Sequence, residues 1–380
     1  MTDLGPNQSL IGVPGSRQQL DTPALLVDLD VMERNIAAMA AHARAVGVNL
    51  RPHAKTHKSL RIARLQVEAG ALGVCCATMG EAEIMVRGGI PGVHVTSPQV
   101  TPSKIRRLIA LNAGEHRGFS VAIDHPHNLA EIEAAAAAQG KPLDVLIDFF
   151  AGHGRTGVAS EEDAIRLARA AADSRALRFR GIQAYAGNLQ HLATRAERRQ
   201  RTLDVLARVR RIVEELTRSG IAVPIVTGAG TGTFDLDPEA HVFTEMQVGS
   251  YIFMDVDYHL ALKDGRNTPP FETSLFVQTA VVSANAQGYV TCDAGLKSFA
   301  SENHKPEPAR GAPAGATYLF FGDEHGRLVL PEGTSKPEIA QKIECVTPHC
   351  DPTVNLYDFY HLVRGDTLVD IWPVDARGKR

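Results

Sequence analysis

Between Thr22 and about Asp255, short apolar runs alternate with longer amphipathic segments. "ALLVDLD" (24–30) precedes "VMERNIAAMAAHARAVG" (31–47), in which Met32, Ile36, Met39 and Ala43 recur at helical spacing. "VNLRPH" precedes "SLRIARLQVEAG", "LGVCCAT" precedes "EAEIMVRGG", and "GVHVTSP" precedes "SKIRRLIALNA". The pattern continues with "FSVAID" and "NLAEIEAAAAAQG", "LDVLIDFF" and "EEDAIRLARAAADS", "FRGIQAYAG" and a long helix from about Arg195 to Ser219, and then "PIVTGAG". Short strands and helices joined by short loops predict parallel βα units. About eight of them favour an α/β fold built on a closed (β/α)8 TIM-type barrel over an open doubly wound sheet.

The pattern changes after about Tyr258. "SLFVQTAVVSANAQGYVTCDAG", "ATYLFFGDEHGRLVL", "KIECVTPHC" and "TLVDIWPVDARG" are rich in β-branched and aromatic residues, with no helix of useful length between them. These segments predict a second, antiparallel β domain. The expected division is a barrel over 22–260 and a β domain over 261–380, which residues 1–21 join.

Forty basic and 43 acidic side chains nearly cancel across the 380 residues, and no long block of one sign occurs. Nucleic acid and anionic membranes therefore have little electrostatic support as partners, and a small molecule is expected. No apolar run approaches the roughly 18 residues of a membrane span, and the start "MTDLGPNQSLIGVPG" is not a secretory signal; a cytoplasmic protein is expected. Cys75 and Cys76, within "ALGVCCATM", read as core thiols of a buried strand.

In a barrel, residues at the C-terminal ends of strands share one face. "RPHAKTHK" (51–58) follows one such end, and Pro52 delays any helix. Lys55 there is either part of a solvated basic loop or a lysine poised to form a Schiff base. "VTGAGTGT" (226–233) follows a late strand; its glycines and threonines suit a single phosphate, or form a plain turn. In "TPHCDPTVNLYD", His349 and Asp351 stand two apart. On an extended segment both leave one face and can share a metal ion, or they form a hydrogen-bonded pair. Arg155 in "GHGRTGV", Tyr185 in "IQAYAGNLQH" and His191 just beyond it occupy two further loops at strand ends. The arginines of "ATRAERRQRTLDVLARVRRI" read as the solvated face of a long helix.

From about residue 20 to 378 the chain resembles one family. "TPALLVDLD", "RPHAKTHK", "GVCCATMGEAE", "GRTGV", "GIQAYAGNLQH", "TGAGTGT", "QVGSYIFMD", "CDAGLKS", "DEHG", "PHCDPTVNLYD" and "WPVDARGK" follow in order the motifs of the metal-activated D-threonine aldolases. The wider group includes 3-hydroxy-D-aspartate aldolases and eukaryotic-type D-serine dehydratases, fold-type III pyridoxal-phosphate enzymes with an alanine-racemase-like barrel. The resemblance implies that Lys55 holds pyridoxal 5'-phosphate covalently, that Arg155 faces its pyridine nitrogen, and that Tyr185 contacts the ring. It also implies a phosphate site formed by Thr227, Gly228, Gly230, Thr231 and Gly232. His349 and Asp351 become ligands of a divalent metal, Mn²⁺ before Zn²⁺, Mg²⁺ or Co²⁺, with His191 near the metal-bound water.

The implied reaction is cleavage of Cα–Cβ in a β-hydroxy-D-amino acid to glycine and an aldehyde, by a homodimer. Dehydration of D-serine or 3-hydroxyaspartate is the rival outcome, and a pyridoxal-phosphate carrier is the non-enzymatic one. The pattern His-x-Asp favours the aldolase, since the dehydratases more often show His-x-Cys. Two departures stand out: Ala77-Thr78 replace a usual Gln-Lys pair, and Ala229 replaces a glycine. The second is harmless if position 229 is not left-handed.

Overall fold

The computed structural model describes residues 3–114, 117–152, 154–263, 270–300 and 304–380. The chain divides into two compact units. One comprises Met39–Lys55, Leu60–Gly249 and Lys379–Arg380; the other comprises Met1–Ala38, Thr56–Ser59 and Ser250–Gly378.

Strand β1 (Ala24–Asp28) belongs to the second unit. The first unit is the barrel, made of β2 (Asn49–Leu50), β3 (Cys75–Cys76), β4 (His94–Val95), β5 (Ser120–Ile123), β6 (Leu143–Asp148), β7 (Leu177–Ala184), β8 (Ile225–Gly228) and β9 (Glu245–Met246). They pair in the order β2-β9-β8-β7-β6-β5-β4-β3, every pair parallel. A bridge between His53 and Cys75, with the Cys75 N–H donating to the Pro52 carbonyl at 2.8 Å, closes the ring. A buried ion pair reinforces the β2–β9 seam: Arg51 donates through Nε and Nη2 to both carboxylate oxygens of Glu245, each at 2.7 Å.

Helices α1 (Leu29–Val46), α2 (Leu60–Glu68), α3 (Met79–Arg87), α4 (Pro102–Ala113), α5 (Pro126–Gln139), α6 (Glu161–Asp173) and α7 (Arg195–Arg218) alternate with the strands. Local chemistry starts and stops them. Thr78 and Glu81 form a capping box on α3. Thr101 caps α4 ahead of Pro102, and Ser160 caps α6, whose first turn carries Glu161, Glu162 and Asp163. α5 ends on Gly140 at φ 78°, a left-handed C-cap. Along α7 Thr202, Leu206, Val209, Ile212 and Leu216 are buried at helical spacing. Each of its four apolar side chains contributes roughly 1.5–3 kcal/mol by leaving water. One arginine departs from the solvated face expected for α7: Arg198 is buried, donating to the Leu192 carbonyl at 2.5 Å. Others follow it, Arg199 pairing with Glu239 and Arg211 with Glu161 at the surface. Cys75 and Cys76 are fully buried free thiols.

The second unit is a mixed sheet of β1 with β10 (Leu275–Ser283), β11 (Tyr289–Cys292), β12 (Glu307–Arg310), β13 (Thr317–Phe320), β14 (Gly326–Val329), β15 (Lys342–Val346), β16 (Phe359–Arg364) and β17 (Thr367–Pro373). Its main path runs β13-β14-β11-β10-β1-β16-β17, and β15 pairs with β10 and β12. All pairs are antiparallel except β1 with β16. The run "ALLVD", read from the sequence as opening the barrel, is thus a strand of this sheet. All five of its residues are buried, and a continuous apolar run does not tell which sheet will bury it. Two short helices, α8 (Val256–Leu262) and α9 (Cys350–Val354), complete the unit. Its core gathers Leu20, Leu26, Val256, Phe276, Val346, Val363, Leu368 and Ile371. Buried Arg17 donates to both oxygens of Glu344, at 2.7 and 2.8 Å. Among the described residues no helix is long and apolar enough to cross a membrane.

Candidate active site

At the C-terminal ends of the barrel strands lie Lys55 after β2, Arg155 after β6, Tyr185 after β7 and the 229–233 loop after β8. Lys55 sits in a single 3-10 turn, Ala54–Thr56, and is half-buried; its own N–H points at His53 Nδ1, 3.4 Å away. His53 in turn meets Thr96 Oγ1 at 3.2 Å. Arg155 is exposed and Tyr185 half-buried, and the structure brings them together, with the guanidinium carbon 5.6 Å from the ring centroid. His191 lies exposed just beyond the turn Gly187–Leu189.

The loop after β8 is fully buried. Ala229 takes φ 65°, so the position is left-handed and the condition for a harmless alanine fails. The left-handed turn follows directly on the end of β8 and reverses the chain into the glycine- and threonine-rich loop. An L-residue pays about 1 kcal/mol to adopt this conformation. Ala229→Gly is therefore expected to raise stability by up to about 1 kcal/mol, seen as a higher urea midpoint at unchanged slope. Two glycines of the loop pack closely against Gln190, Gly230 on its side chain and Gly232 on its backbone. A Cβ at Gly230 would stand 2.3 Å from Gln190 Oε1, and one at Gly232 2.1 Å from the Gln190 carbonyl. The Gly232 N–H is taken by Gln190 Oε1 at 2.9 Å. Gln190 thus braces the loop from behind, a role the sequence did not reveal.

Thr233 Oγ1 donates to Asp237 at 2.6 Å, and burial pushes the Asp237 carboxyl up to about 7. Its folded value lies above the unfolded one, so the folded state binds the extra proton between about pH 4 and 7. Stability contributed by this group is present at acid pH and is lost as pH rises through 7. Asp237→Asn is expected to flatten this fall, read from urea midpoints at pH 5 and 8.

Beneath the mouth runs a polar layer that motif reading missed. Gln183 donates to Asp148 at 2.9 Å and to the Thr96 carbonyl at 2.9 Å, while its Oε1 meets His94 at 3.0 Å. Gln247 donates to Gln183 at 3.3 Å and to Thr227 Oγ1 at 3.1 Å. Burial pushes His94 down to about 4, so this imidazole is neutral at physiological pH. The available signal was an acid ending an apolar run, Asp148 in "LDVLIDFF".

In the sheet unit, the segment carrying His349 and Asp351 is not extended throughout. His349 is the N-cap of α9, at φ −142° and ψ 122°, and Asp351 lies in its first turn. Pro52-like interruption is absent here because Pro352 falls within the first helical turn, where its missing N–H costs nothing. Asp255 ties the segment down. Its carboxylate caps α8 through the Tyr258 N–H at 2.9 Å and accepts the Cys350 N–H at 2.8 Å. Burial raises its pKa, against the lowering influence of His349. Asp351 Oδ1 accepts from Ser250 Oγ at 3.4 Å. His349 Nδ1 is buried with no hydrogen-bond partner, a state that costs about 1–3 kcal/mol unless something fills it. An imidazole nitrogen and a carboxylate oxygen are donor types that a divalent ion takes. Among the described residues no group of three or more His, Cys, Asp or Glu is arranged as a metal cage, so the pair would leave other positions to water and substrate.

Comparison with known proteins agrees with this layout. Residues 27–257 match the alanine racemase N-terminal domain family, and residues 274–363 match the serine dehydratase domain family. A D-threonine aldolase of Arthrobacter sp is 39% identical, covering 95% of this chain and 93% of that one. A 3-hydroxy-D-aspartate aldolase of Paracoccus denitrificans is 37% identical over 97% of this chain and 95% of the other. The crystal structure of the D-threonine aldolase from Filomicrobium marinum superposes with a TM-score of 0.89 at 38% identity, covering 95% of this chain and 96% of that one. With identity at this level running through both units, the chain belongs to the D-threonine aldolase family of fold-type III enzymes and is a lyase.

Proposed function

We propose that this protein is a pyridoxal-phosphate- and divalent-metal-dependent aldolase. It cleaves β-hydroxy-D-amino acids of the D-threonine, D-allo-threonine and D-phenylserine type to glycine and an aldehyde. The observation that carries the reading is the correspondence with the Arthrobacter D-threonine aldolase over 95% of this chain. It spans both the barrel that bears Lys55 and the sheet unit that bears His349 and Asp351.

On this reading Lys55 holds the cofactor covalently, the loop residues Thr227, Gly228, Gly230, Thr231 and Gly232 take its phosphate, and Tyr185 packs on the ring. When bound, pyridoxal phosphate supplies an electron sink for the pair released as Cα–Cβ breaks. Arg155 faces the ring nitrogen. A guanidinium does not surrender its proton, so it keeps the ring a weaker sink than a carboxylate partner does. His349 and Asp351 hold the divalent ion, whose chemistry there is that of a Lewis acid toward a hydroxyl oxygen. His191 takes the proton of the β-hydroxyl, directly or through one water. The O–H electron pair becomes the C=O bond of the departing aldehyde, and Cα regains a proton to give glycine.

The test incubates the purified, cofactor-loaded protein with D-threonine and Mn²⁺, with and without EDTA, and assays acetaldehyde, glycine and 2-oxobutanoate. Acetaldehyde and glycine in equal amounts, abolished by EDTA, are expected. 2-Oxobutanoate in their place identifies a dehydratase and sinks the proposal. Glyoxylate released faster from 3-hydroxy-D-aspartate than acetaldehyde from D-threonine assigns the preference to a carboxylate substituent.

A further inference from the structure

Asp148 is the last residue of β6, a strand whose six residues are all buried. It is 3% exposed, and a carboxylate is expensive to bury unless it is held. Two neutral donors hold it, Thr156 Oγ1 at 2.7 Å and Gln183 Nε2 at 2.9 Å.

Thr156 directly follows Arg155, and the strap that carries both is folded back on the end of β6. Val158 N–H donates to the Asp148 carbonyl at 2.8 Å, and Phe150 N–H to the Val158 carbonyl at 3.0 Å. Gly157 N–H donates to Asp124 at 3.0 Å, and Gly157 is packed so tightly that a Cβ would lie 2.5 Å from the Phe150 nitrogen. Asp148, Arg155, Thr156, Gln183 and Tyr185 line one small cavity of about 10 Å³, room for a single water. Burial pushes the Asp148 carboxyl up to about 6, with Gln183, Thr156 and the Arg155 charge working the other way. It is therefore predominantly ionised at neutral pH. The groups around it are the Asp124 carboxylate at the end of β5, which accepts from the strap's Gly157, neutral His94 behind Gln183, and the Tyr185 phenol.

We propose that Asp148 is the positioning residue for Arg155: by accepting from Thr156, the next residue along, its carboxylate anchors the strap that presents the guanidinium beside Tyr185, and its charge opposes that of the guanidinium. Asp148 thereby sets the field at the cofactor ring. The inference rests on the reading above in which Arg155 faces the ring nitrogen.

The test is a double-mutant cycle read by spectroscopy. Wild type, Asp148→Asn, Arg155→Met and the double variant are loaded with pyridoxal phosphate, and the visible band is titrated with pH. In the wild-type background, Asp148→Asn is expected to lower the pH midpoint of the band by about one unit, because loss of a nearby negative charge disfavours the protonated form. Cofactor affinity should stay within about threefold, since no contact residue is changed. In the Arg155→Met background the same substitution should shift the midpoint by less than a third as much. An equal shift in both backgrounds overturns the proposal, as does no shift in the first. If wild type acquires no visible band, the functional reading itself has failed, and this inference with it. Should Asp148→Asn not fold, Thr156→Val in both backgrounds serves instead, with a smaller shift expected in the same pattern and the same results overturning it.

Discussion

Replacing Lys55 by alanine is expected to abolish the visible band of the pyridoxal-phosphate-treated protein and to lower aldol cleavage by about 10³-fold or more. The fold should survive. Lys55 occupies a short 3-10 turn in which its backbone N–H points to His53 Nδ1, a contact that alanine keeps. The lysine's side chain is half-buried, so truncation removes little apolar packing. Lys58, three residues on, supplies the comparison. Its backbone is left-handed at φ 52°, and its carbonyl accepts the Ala376 N–H at 2.9 Å. Lys58→Ala keeps those backbone features and should keep the band. A band lost from Lys58→Ala and kept in Lys55→Ala assigns the cofactor to the wrong lysine.

The second large effect is expected from His349→Ala: about 10³-fold loss of D-threonine cleavage, no stimulation by added Mn²⁺, and an unchanged cofactor band. Metal should also raise the melting temperature of wild type, as any ligand that binds only the folded state does, and leave that of the variant where it was. The metal-free fold should tolerate the change. His349 Nδ1 is a buried atom without a partner, so its removal relieves a penalty as well as losing contacts. Retained Mn²⁺ stimulation in the variant would move the metal elsewhere in the molecule. Because the cofactor band is read separately, the loss of metal and the loss of pyridoxal phosphate are told apart.

The barrel was legible because its longer strands and its helices carry local signatures. β6 and β7 are runs of six and eight residues, and Thr101-Pro102 and Ser160-Glu161 announce helix starts. β2, β3, β4 and β9 have two residues each, too short for any periodicity, and β9 left no trace in the pattern. Ala24–Asp28 then filled the missing place in a count of about eight, although its partners are residues 275–278 and 361–363. Sheet membership is a long-range fact, and alternation is a local one. The same division runs through the site. Lys55, Arg155 and Tyr185 stood out by type and position at strand ends. Asp148, Gln183 and Gln190 did not, because what they do depends on neighbours tens of residues away. The turn at His349 was misjudged as extended because Asp351-Pro352 suits a first helical turn as readily as a strand end.

The pairing of Ala24–Asp28 with two late segments orders events during synthesis. A ribosome delivers residues 24–28 first, then every residue of the barrel, and only long afterwards the 275–283 and 359–364 segments that flank them. Throughout that interval a five-residue segment, apolar in its first four residues, waits with both edges unsatisfied, while the 39–249 region has all its parallel partners in hand. Chains cut short near residue 260 should therefore expose an adhesive N-terminal strand and be drawn to chaperones or into aggregates, and nonsense mutations late in the gene should be as damaging to solubility as early ones.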